Sequence, residues 1–99
     1  MIKDLEALFE KYEDQYDKFF LIPENKRHST RRDLHAFILL DRLSPTKDTS
    51  IISGIRDVDV IISVDTSLLA EVATEDHIID LIRCGVSFDA DEEVLYLLF

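Results

Sequence analysis

The chain has 99 residues, 46% of them hydrophobic, and carries 21 acids against 11 bases for a net charge of −10. That size and apolar content support a buried core and exclude a disordered tail, while the longest apolar run, Ala36 to Leu40, is too short to span a bilayer. A single cysteine, Cys84, excludes an internal disulfide, and an N-terminal stretch that alternates charged and apolar residues is no signal peptide, so a cytoplasmic protein is expected.

Ile2, Leu5, Leu8, Phe9, Tyr12, Tyr16 and Phe19 recur at helical spacing and predict an amphipathic helix over residues 2–20, with Pro23 forbidding its continuation. A second helix is expected after Ser29 or Thr30, either of which can cap it, with Asp33 in its first turn. Leu34, Ala36, Phe37, Ile38, Leu39, Leu40 and Leu43 cover most of its circumference. It should therefore be central, with the first helix on one side and a sheet on another. Residues 44–49 read as a loop, and residues 50–54 as one helical turn closed by Gly54.

The period then changes. Val58, Val60, Ile62 and Val64 alternate with Asp59, Ile61 and Ser63, which predicts a strand with one face in the core. A short helix follows, capped by Asp65 or Thr66. The next helix carries a full set of signals: Thr74 as cap, Glu75 and Asp76 in the first turn, Arg83 in the last, and Gly85 as the stop. Residues 86–90 and 94–99 read as a hairpin around an acidic turn. The expected fold is a single α+β domain over residues 1–99, of topology α-α-β-α-α-β-β. It has a small, mainly antiparallel three-stranded sheet of order 1-3-2 backed by about four helices. The last strand is apolar on both faces: Val94, Tyr96 and Leu98 on one, Leu95, Leu97 and Phe99 on the other. The second set predicts an apolar interface, with a homodimer as one way to cover it.

Charge is unevenly spread. Lys26, Arg27, Arg31 and Arg32 form a basic island at the expected start of the second helix, the end where positive charge is least welcome. Residues 33–56 balance, and residues 57–99 hold eleven acids against one base, Arg83. The field of such a chain repels free nucleic acid and suits a basic protein partner. Asp57, Asp59, Asp89, Asp91, Glu92 and Glu93 are the expected acidic partner surface. The island wants an anion: carboxylates of the first helix (Glu10, Asp14 or Asp17), a nucleic-acid backbone, or an acidic protein surface.

Reactive chemistry is sparse. His28, His35 and His77 have no zinc-type spacing, and the acidic turn at residues 89–93 lacks the glycine and distant glutamate of a calcium loop. No phosphate loop or serine elbow is present, and Cys84 sits at a helix C-terminus, where a thiolate is disfavoured. No cofactor, metal or catalytic residue is expected. The expected function is non-catalytic: an acidic protein that binds and inhibits or regulates a partner. Most sharply, that partner handles nucleic acid, and carboxylates occupy its basic site in place of phosphates. In size and charge alone the chain resembles small phage-borne counter-defence and immunity proteins. The alternatives are a homodimeric accessory protein assembled through the C-terminal strand, or an adaptor touching nucleic acid through residues 26–32.

Overall fold

A computed structural model describes residues 4–46 and 49–98. The predicted apolar-interface residue Phe99 and the helix residue Ile2 lie outside that set. The described elements are α1 (Leu5–Lys11), α2 (Arg32–Leu43), β1 (Ile52–Ile55), β2 (Asp59–Ile62), α3 (Thr66–Val72), α4 (Glu75–Arg83), β3 (Val86–Asp89) and β4 (Val94–Leu98). Three short 3-10 turns lie between α1 and α2. The fold is α+β, with four helices and one antiparallel four-stranded sheet of order β1-β2-β4-β3. No helix among the described residues is long and apolar enough to cross a membrane.

The sheet corrects the expected three strands to four. The predicted order 1-3-2 survives as the run β2-β4-β3, but residues 52–55 form an additional edge strand where one helical turn was expected. β1 and β2 make a hairpin, with a register irregularity between Ile52 and Gly54. That break in alternation masks the strand in the sequence. β2 is therefore an interior strand, not an edge.

Two-residue alternation sorts the sheet. Ile62, Val86 and Leu95 are buried under the helices and share the core with Leu40, Leu69, Ile78 and Leu81. Leu95 is fully buried, so it cannot be offered to another chain as the sequence suggested; Leu97 is half-buried against the core. Leu98 lies on the other face and is exposed.

The predicted first helix breaks early. α1 ends at Lys11, and the apolar stripe continues through 3-10 turns at Glu13–Gln15 and Phe19–Leu21. The cause is tertiary. Asp17 adopts a left-handed φ of 59°, which aspartate tolerates better than most residues. Its N–H donates to the Ile82 carbonyl at the end of α4 (3.1 Å). Arg83 Nε donates to Gln15 Oε1 (3.0 Å). The chain thus bends around the C-terminus of α4 and satisfies groups that a continuous helix would leave bare. At the other end of α4, Tyr12 Oη donates to Glu75 Oε1 (2.7 Å) with Lys11 Nζ at 3.4 Å. The Tyr12 hydrogen bond first, and then the Lys11 charge, hold the Glu75 carboxyl below the usual range.

α4 follows the sequence closely. Thr74 Oγ1 accepts from the His77 N–H, and the Thr74 N–H donates to His77 Nδ1 (3.0 Å), so a histidine completes the capping box. Gly85, at φ +91°, ends the helix in the left-handed region that glycine enters freely. Asp65, not Thr66, caps α3.

α2 starts later than expected, at Arg32, with no side-chain cap; Ser29 Oγ instead accepts from the Arg31 N–H. It packs on α3 and α4 rather than on α1. His35 anchors it. The imidazole is buried, its Nδ1 accepts from the His28 N–H (2.9 Å), and the His28 ring stacks on it at 5.0 Å. Burial first, then the His28 ring and Arg27, hold His35 below the usual histidine range, with Asp80 opposing.

Leu95→Ala should cost about 2–5 kcal/mol in urea denaturation and Leu98→Ala less than about 1 kcal/mol; equal losses would contradict the assignment of faces. Neutral His35 makes stability pH-dependent, because the unfolded chain takes up a proton below about pH 6.5 more readily than the fold does. Stability present at neutral pH should therefore decline as the pH falls from about 7 to about 5, and decline less in His35→Gln. Asp80, whose carboxyl burial raises, acts in the opposite sense. An equally steep profile in His35→Gln would contradict this role.

Candidate functional site

The six predicted acids do not form one continuous surface. By register, the 56–58 turn lies at the end of the sheet where Asp59 pairs with Leu98, and the 90–93 turn at the end where Asp89 pairs with Val94. Asp57 is thereby separated from Asp91, Glu92 and Glu93. Asp59 and Asp89, one at each end, are both engaged by Arg56.

Arg56 lies across the sheet face opposite the helices. Its guanidinium stands 5.0 Å from the centre of the Tyr96 ring. Nε and one terminal nitrogen donate to the two oxygens of Asp59 (2.6 and 3.1 Å), while the other terminal nitrogen approaches Asp89 (3.6 Å) and Glu92 (3.7 Å). Asp59 is only 8% exposed, so it is withdrawn from the expected acidic partner surface. The forked guanidinium matches a carboxylate in a way that lysine cannot. Asp89 also fixes the turn that follows it: its Oδ1 accepts from the N–H groups of Asp91 (3.0 Å) and Glu92 (3.2 Å).

Of the remaining acids of that turn, Glu93 takes part in a cleft invisible from the sequence. The start of α1, the start of α3 and the β3–β4 turn converge, and Asp4, Glu6, Thr66, Ser67, Phe88 and Glu93 line the groove between them. Thr66 Oγ1 donates to the Glu93 carbonyl (3.2 Å) and binds the turn to α3. Among the described residues, no base lines this cleft. Asp4 and Asp65 each cap a helix here, so their positions follow from local chemistry. Glu6, Asp91 and Glu93 are exposed, with no such bond.

The basic island divides in two. Arg32 pairs with Asp17, which relieves its charge at the helix start. Arg27 turns inward: Nε donates to the Ile22 carbonyl (2.8 Å), and the guanidinium stands 4.7 Å from the centre of the Phe19 ring. Lys26 and Arg31 are exposed and make no ion pair among the described residues.

Of the other reactive side chains, Cys84 is buried, and desolvation pushes its thiol up to about 12. Among the described residues, no group of His, Cys, Asp and Glu is arranged to hold a metal ion. No protein-family model matches the chain, and neither the curated proteins nor the solved structures yield a match.

Proposed function

We propose that this chain is a non-catalytic acidic protein that binds a basic protein surface through the cleft formed by α1, α3 and the β3–β4 turn. The observation that carries this reading is the convergence of Asp4, Glu6 and Glu93 around one groove with no base in its lining among the described residues. Asp91 and Glu92 extend the same turn. Carboxylates held on a rigid turn and two helix starts offer negative charge at fixed spacing, which is what a site built for phosphates receives. The sharp form of the reading is an inhibitor or regulator of a nucleic-acid-handling protein, in which the cleft and nucleic acid compete for the same basic site.

The test is a paired capture from host lysate at low salt, with mass spectrometry. Wild-type protein should enrich a nucleic-acid-binding protein, added nucleic acid should displace it, and affinity should fall steeply as salt rises. Glu6→Gln, Asp91→Asn and Glu93→Gln together should abolish capture while sparing the fold, since none of them caps a helix or fixes the turn. A control replacing the exposed acids Glu13, Asp14 and Glu24 removes equal charge elsewhere and should capture normally. Capture that survives the cleft variant, or tolerates bound nucleic acid, would sink the reading.

A further inference from the structure

We propose that the outer edge of β1, with the apolar groove beside it, forms a two-fold contact with a second copy of this chain. β1 is an edge strand, and among the described residues only β2 pairs with it. Its other side has no strand partner among the described residues; there the Ile52 N–H donates to Ser50 Oγ (3.2 Å) and the Ile52 carbonyl accepts from it (3.1 Å), local bonds that an added strand would exchange for its own. Residues 49–55 contain no charged residue and no proline, so they lack two of the usual guards against strand addition. Absence of charge matters here, because a chain of net charge −10 repels its own copy across most of its surface.

The side chains point to the same occupant. Ile52 and Ile55 are three apart, and a regular strand would place them on opposite faces. The register irregularity between Ile52 and Gly54 changes this: Ile52 pairs with Ile62 and Ile55 with Val60, so both stand on one side. Beside them, Phe37, Ile52, Val60, Leu97 and Leu98 line a groove that Arg32 and Asp33 border at the start of α2. Ile55 is 74% exposed and Val58 63% exposed. In an antiparallel pairing of two β1 strands centred between Ser53 and Gly54, each Ile52 falls opposite the second copy's Ile55. The two-fold axis makes both contacts at once and extends both grooves with apolar surface. Such a pairing consumes the β1 edge, so assembly closes at two. β4, which the sequence suggested as the assembly strand, has both edges taken by β2 and β3.

Sedimentation velocity at physiological salt, from low to high micromolar concentration, tests this. The expected result is conversion of an 11.5 kDa species to one of twice that mass. Added salt should strengthen it, because screening weakens the repulsion between two acidic copies; salt weakens the cleft interaction, so the two proposals fail independently. Ile55→Lys should raise the dissociation constant about tenfold or more by placing a charge in the contact. Val58→Lys should act in the same direction. Val72→Lys, on the exposed side of α3, makes the same charge change elsewhere and should leave assembly intact. Thermal melting checks that each variant stays folded. One 11.5 kDa species at every concentration would overturn the proposal and leave the edge to a strand of another protein. A dimer indifferent to both Ile55→Lys and Val58→Lys would overturn it as well.

Discussion

Arg56 holds the sheet together on the side that the helices leave open. A four-stranded sheet with one covered face must do something with the other, and here one guanidinium spans it. Arg56 comes from the β1–β2 turn, lies over Tyr96 of β4, grips Asp59 of β2 and reaches Asp89 and Glu92 at the far turn. Without it, Asp59 would be a carboxylate removed from water with no counter-charge, a costly arrangement. Once it is in place, two acids that look available for a partner are internal, and the turn that carries the others is fixed.

The same economy governs the other bases. Arg83 closes the end of α4 through Gln15, with Asp80 at 3.8 Å. Arg27 satisfies a carbonyl of the 3-10 segment, and Arg32 meets Asp17 at the start of α2. These four arginines serve the fold, and the exposed acids remain largely uncompensated. Function is therefore sought at the unpaired carboxylates, at the uncharged β1 edge, and only then at Lys26 and Arg31.

How far the sequence could be read depended on whether the cause was local. α4 was legible in full, because Thr74, Glu75, Arg83 and Gly85 each act within one turn of the helix end. The β2-β4-β3 order was legible because a strand apolar on both faces belongs inside a sheet. The break after Lys11 was not legible: the apolar stripe is real, but a carbonyl of α4 fixes the bend at Asp17. β1 was hidden by its own irregularity. Arg56 stands one residue before the acidic stretch, so the charge of that stretch conceals its effect. The cleft joins residues 4–6, 66–67 and 93, and no periodicity links such distant segments.

Site-resolved amide hydrogen exchange of Arg56→Met against the wild type tests most directly whether one side chain unites the open face. The expected result is a joint loss of protection at residues 56–59 and in the 89–93 turn, which sit at opposite ends of the sheet. Loss confined to residues 56–59, with the far turn unchanged, would contradict the role assigned to Arg56.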